Sequence, residues 1–156
     1  MKKSSTIILQ AVIVLIGIGV FAWMLWEPWV EGVNANATTI SEIYFDDPFL
    51  AYAYTASIAF FVALYQAFKV LGYVRQNRTF SDETAKALRT IKYCGSTLVA
   101  FIVAAEAYLM IVRPGDDIAG GVFIGLLIII ASGLMAIVAD MLEGVVQRVG
   151  NMEGNV

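Results

Sequence analysis

The residue with the most chemical potential in this chain is Glu106, a carboxyl inside the apolar run from Tyr93 to Val112. It lies seven residues before Arg113, roughly 10 Å inside the helix end at about 1.5 Å per residue. An ionisable group at such a depth is costly and turns toward the interior of a helix bundle. At about 100° per residue, Gly95, Val99, Ile102, Met110 and Arg113 share its side of the helix, and side chains lean toward the helix N-terminus, which directs Arg113 back toward Glu106. Two readings stay open. One is a proton, cation or ligand site; the other is a structural carboxyl, protonated or linked to Arg113, that holds helices together by hydrogen bonds.

A second constellation lies on the run from Ile118 to Ala139, where Gly121, Gly125, Ser132 and Ala136 fall on one helical stripe that continues through Ala139 to Asp140, Glu143 and Gln147. Small residues let helices approach closely in lipid, where packing drives association. The stripe is expected to pack within one chain, with a homodimer seam as the alternative. Its acidic end can pair with Arg89 or Lys92. A third group, Arg75, Arg78, Lys86, Arg89 and Lys92 together with Asp140 and Glu143, forms a candidate contact surface for anionic headgroups or an acidic partner; the same basic residues also serve plain topology.

Other chemistry is excluded by composition. Histidine is absent and Cys94 is the one cysteine, which removes an intrachain disulfide and the usual His/Cys zinc sites. No paired carboxylates within one span, and no serine with a plausible base, suggest an enzyme. Neither a metal nor a cofactor is expected, nor direct contact with nucleic acid.

The elements that must position these residues follow from hydropathy. Of 156 residues, 60% are apolar and 15% charged, where a soluble domain with glycine included shows roughly 45–50% and about 25%. A hydrocarbon core needs about 20 apolar residues per helix, and four such runs are present, at about 7–26, 49–74, 93–112 and 118–139. The longest intervening stretch, Glu27 to Pro48, is 22 residues, too short for a soluble domain. The first run rivals a cleavable signal peptide, because Ala35-Asn36-Ala37 has small-x-small spacing, but it exceeds the usual 7–15 residues and Ala37 lies far beyond its end. Asp46-Asp47-Pro48 suits entry into the second helix. Ser81 followed by Asp82-Glu83 reads as a helix start, with Asp82 and Lys86 spaced for pairing, so the third helix is expected to begin near Asp82.

Charge orients the spans. The first loop holds five acids, Glu27, Glu31, Glu42, Asp46 and Asp47, and no base, whereas nine of the ten Lys and Arg residues fall on the other side if four helices alternate. Arg113 is the exception. Short cytoplasmic loops keep an excess of Lys and Arg, so both termini and the segment from Arg75 to Lys92 are expected in the cytoplasm. Trp23, Trp26 and Trp29 fit the outer interface.

Phe68-Lys69-Val70-Leu71, Arg78-Thr79-Phe80-Ser81, Leu88-Arg89-Thr90-Ile91-Lys92 and the segment from Gly120-Gly121-Val122-Phe123-Ile124-Gly125-Leu126 to Ala139-Asp140-Met141-Leu142 together resemble a four-helix prokaryotic membrane family, domain of unknown function 2975. The resemblance covers most of the chain from the second helix onward, with the first helix similar only in hydropathy. It implies four spans in a prokaryotic inner membrane and a cytoplasmic regulatory partner of helix-turn-helix type, and it carries no catalytic residues. The expected molecule is therefore all-α: a single transmembrane domain over 1–156, an integral membrane four-helix bundle with a cytoplasmic extension at 140–156, acting by binding as a sensor, anchor or regulatory subunit. The alternative is a small transporter or channel subunit that works through Glu106.

Overall fold

A computed structural model describes residues 2–30, 36–45, 48–115 and 118–155. The loop acids Glu31, Asp46, Asp47, Asp116 and Asp117, and Ala35 of the small-x-small triplet, lie outside the described residues. Among the described residues five helices form in chain order: α1 (Lys3–Val30), α2 (Ile40–Phe45), α3 (Pro48–Arg75), α4 (Asp82–Val112) and α5 (Ala119–Gly154). Four of them, all but α2, are long and apolar enough to cross a membrane. Each runs past its apolar core because a backbone in or near hydrocarbon must satisfy its own hydrogen bonds. At 36 residues, α5 is about 54 Å long against a hydrocarbon core of about 30 Å, so the segment after Ala139 continues as the same helix.

The helices form an open row in which α1 packs on α3, α3 on α4, and α4 most extensively on α5. Contacts near the helix ends show that successive spans alternate in direction. Gln10 near the start of α1 donates from Nε2 to the Phe68 carbonyl oxygen near the end of α3 at 3.1 Å, and Tyr54 near the start of α3 donates to the Met24 carbonyl at 2.9 Å. Tyr52 donates from the other side of α3 to the Phe101 carbonyl on α4 at 2.7 Å. A helical carbonyl has a second lone pair for such a donor, which gives a part-buried phenol the partner it needs. Tyr65 instead is exposed, with the Lys69 ammonium 5.5 Å from its ring centre. Alternation puts residues 2–6, the 76–81 turn and the C-terminal end of α5 at one end of the molecule, and the α1–α3 and α4–α5 connections at the other.

The turn between α3 and α4 is closed at both sides. Asn77 has φ 60°, a left-handed conformation that asparagine tolerates better than most residues. Arg78 N–H donates to the Tyr73 carbonyl at 2.8 Å and Asn77 N–H to that of Val74 at 3.2 Å, which satisfies the last carbonyls of α3. Ser81 caps α4 from an extended backbone, its hydroxyl accepting from Thr84 N–H at 3.3 Å. The ion pair at this turn is Arg78–Glu83 at 2.6 Å rather than Asp82–Lys86, because the arginine reaches forward across the turn to the first helical residues. Both partners are exposed, and such pairs contribute about 0–1 kcal/mol.

Packing is tightest at the termini end. Ala85, Leu88 and Ile91 of α4 meet Ala139 and Val146 of α5, with Ala67 and Val70 of α3 and Met135 of α5 against them. Every buried residue of α4 lies between Thr84 and Leu98, and its remaining length to Val112 has none.

Candidate functional site

The α4–α5 seam carries most of the candidate residues, and it opens along its length. At Gly95 the backbones touch: a Cβ there would lie 2.8 Å from the Ser132 carbonyl oxygen and 3.0 Å from the Ala136 Cβ. Farther along, at Gly125, a side chain fills the space between the helices. Glu106 Oε1 occupies the position that a Cβ on Gly125 would need, with Glu106 Cδ 2.7 Å from that position. One turn beyond, a Cβ on Gly121 would meet nothing within 4 Å. Gly121 therefore does not join Gly125, Ser132 and Ala136 in close packing, because the helices have separated by the time the stripe reaches it. That separation is also what admits the Glu106 side chain.

Glu106 and Arg113 are not brought together. Arg113 is exposed at the end of α4, and no ion pair joins it to Glu106. The Oε2 atom of Glu106 is buried and has no hydrogen-bond partner among the described residues. Seven residues along one helix leave roughly 10 Å between the two backbones, and the carboxyl leans across to α5 instead of along its own helix.

At the termini end the same seam holds an ionic cluster. Glu143, with 7% of its side chain exposed, accepts from Arg89 Nε at 2.7 Å, Lys92 Nζ at 3.4 Å and Gln147 Nε2 at 3.2 Å. Lys92 also donates to Asp140 at 3.0 Å. Periodicity places all these residues correctly: Arg89 and Lys92 lie three apart on α4, as do Asp140 and Glu143 on the antiparallel α5. A carboxylate with three donors is satisfied despite its burial. Beside the cluster is an open groove of about 500 Å³ lined by Lys92, Asp140, Glu143, Gly144, Gln147 and Arg148.

The candidate contact surface thus divides. Arg78, Arg89 and Lys92 are held in ion pairs within the chain, whereas Arg75 and Lys86 are exposed and form no ion pair among the described residues. Among the described residues no group of three or more His, Cys, Asp or Glu side chains could hold a metal ion.

Two polar sites carried signals that hydropathy alone passes over. Gln10, the single polar residue of the first run, marks the α1–α3 seam, where its amide nitrogen lies 3.6 Å from the position of a Cβ on Gly72, an ordinary van der Waals contact. Thr39-x-x-Glu42 is a capping box: the Thr39 hydroxyl accepts from Glu42 N–H at 3.3 Å, and Glu42 Oε2 accepts from the N–H groups of Thr38 and Thr39 at 2.9 and 3.3 Å. These backbone bonds, the one from Thr38 foremost, hold the Glu42 carboxyl below its ordinary range. A third contact is visible only in three dimensions. Gly150 of α5 lies against the 76–81 turn, where a Cβ would be 2.8 Å from the Phe80 carbonyl oxygen.

Four membrane-crossing helices in an open row, with one carboxyl buried in the membrane-spanning part of a seam and an ionic cluster at the seam's far end, define a small polytopic helical membrane protein. The chain belongs to the family described as protein of unknown function DUF2975, whose profile matches residues 10–154. The match begins inside α1, so the family likeness reaches farther toward the N-terminus than the motifs from α3 onward suggest. The chain is also similar to the uncharacterized membrane protein YoaS of Bacillus subtilis (strain 168), 37% identical over 148 residues, covering 92% of this chain and 89% of that protein. No solved structure matches it.

Proposed function

We propose that this is a non-enzymatic protein of a prokaryotic inner membrane that acts by binding, as a sensor, anchor or regulatory subunit, through the end that carries its termini. In this reading that end faces the cytoplasm, because nine of the ten basic residues belong to it or to the helix ends beside it. The observation that carries the reading is the overhang of α4 and α5. Helices of 31 and 36 residues exceed the roughly 20 needed to span, and the excess is packed and ion-paired at this end. Spanning alone requires no such platform. Arg75, Lys86 and the groove beside Arg148 are the parts of it open to a partner, and the family resemblance suggests a cytoplasmic regulatory protein of helix-turn-helix type.

A photo-crosslinking residue at Lys86, in cells, tests this directly. A discrete adduct with a cytoplasmic protein, lost when Arg75 and Arg148 are both changed to Glu, is the expected result. Adducts with lipid alone would overturn it.

A second reading, a small transporter or channel subunit that uses Glu106, is favoured by one observation: the buried Oε2 has no donor among the described residues.

A further inference from the structure

The surroundings of Glu106 restrict what can bind it. Oε1 is seated against α5 in the notch that Gly125 leaves, and Oε2 is buried without a hydrogen-bond partner among the described residues. A carboxyl in hydrocarbon is stable when it is neutral or when a cation pairs with it. Arg113 does not pair with it, and Arg89 and Lys92 are engaged at Glu143 and Asp140. A divalent metal ion needs several oxygen ligands, and no group of three or more His, Cys, Asp or Glu side chains that could hold one is present among the described residues. An organic monocation instead brings its own hydrogen-bond donor, together with an apolar body suited to hydrocarbon. The apolar body has room on the outer side of the seam, since Gly121, one turn away, is exposed and nothing lies within 4 Å of its Cβ position. The last torsion of a glutamate side chain is broad, so Oε2 can turn toward that side.

We propose that the Glu106 carboxyl, seated on Gly125, is a binding site for an amphiphilic organic ammonium cation whose N–H group completes Oε2. This deepens the second reading above by naming the class of ligand, and it leaves the platform at the other end of the seam untouched.

The test uses the full-length protein purified in a nonionic detergent, with dicyclohexylcarbodiimide as the reporter. The neutral carboxyl adds across a C=N bond of this reagent, its proton passing to nitrogen, and an oxygen-to-nitrogen acyl shift leaves a stable N-acylurea with no leaving group, so intact mass reads the adduct. Wild type is expected to label at Glu106, and Glu106→Gln to stay unlabelled there. Protonated N,N-dimethyloctylamine, which has an N–H and cannot form an amide, is expected to slow labelling by roughly tenfold or more, the value of a hydrogen bond to a charged group. Octyltrimethylammonium, with the same charge and no N–H, is expected to leave the rate unchanged. Labelling that neither amine slows, or that both slow equally, overturns the ammonium site while leaving Glu106 as a proton or general cation site. A folded protein whose Glu106 does not label overturns both this proposal and the second reading. In Gly125→Ala the new Cβ displaces Oε1, and the protection by the tertiary amine is expected to disappear; protection that persists in a folded Gly125→Ala protein also overturns the site.

Discussion

Gly95 of α4 lies so close to Ser132 of α5 that a Cβ on the glycine would sit 2.8 Å from the serine carbonyl oxygen. The neighbour is backbone and cannot swing aside. Gly95→Ala is therefore expected to lower stability in detergent by about 1–3 kcal/mol, the usual cost of overpacking. Gly144→Ala on α5, where a Cβ meets nothing, should gain about 0.5–1 kcal/mol from helix propensity. Thermal or denaturant unfolding of both variants checks the contrast, and a neutral Gly95→Ala would show that the seam is not tight there.

Glu143 collects Arg89, Lys92 and Gln147 at one buried carboxylate. Glu143→Ala leaves these donors without their acceptor, and a loss of about 1–3 kcal/mol is expected. Asp140→Ala should cost less, because Asp140 is 63% exposed and shares its one cation with Glu143. Equal effects of the two variants would mean that the cluster is not organised around Glu143.

Sidedness is testable with single cysteines at Asn36 and Gln76 in a Cys94→Ser background. Gln76 is chosen over Asn77 because the left-handed backbone of Asn77 disfavours cysteine. An impermeant thiol reagent should label position 36 in intact cells and position 76 only after permeabilisation. The reverse pattern would invert the proposed orientation and with it the cytoplasmic platform.

The Glu42 capping box sets a pH dependence for α2. Because backbone donors hold the folded carboxyl below its ordinary value of 4.5, the contribution is fully present above that value and is lost as pH falls through the folded one. Amide exchange at 40–45, corrected for its intrinsic pH dependence, should show protection at pH 6 that is gone in strong acid. Thr39→Ala should lower the protection at pH 6, since the hydroxyl cap on Glu42 N–H is removed. Protection unaffected by either change would mean that the box does not hold the helix.

The spans and the termini-end cluster were legible in the residues for different reasons. Hydropathy acts over 20 residues at once and tolerates exceptions such as Gln10, so four spans stand out. The Ser81 cap is local, and the pairing of Arg89 and Lys92 with Asp140 and Glu143 follows once two antiparallel helices each carry charges at a spacing of three. The partner of Glu106 was not legible. Reasoning along one helix offers Arg113, on the same face, whereas the contact that forms is to Gly125 across the seam and depends on where α4 and α5 diverge. The same divergence separates Gly125 from Gly121, two glycines that periodicity treats alike. No pattern within a single helix reports the angle between two.

The contact of Gly150 with the Phe80 carbonyl has a consequence for the order in which the molecule is completed. Each spanning helix packs on its predecessor in chain order, so the row can grow as synthesis proceeds, one hairpin at a time. The 76–81 turn does not finish with its own hairpin. It waits for a residue seventy positions later, and a nascent chain that stops after α5 leaves the lipid holds all four spans but an unclasped turn.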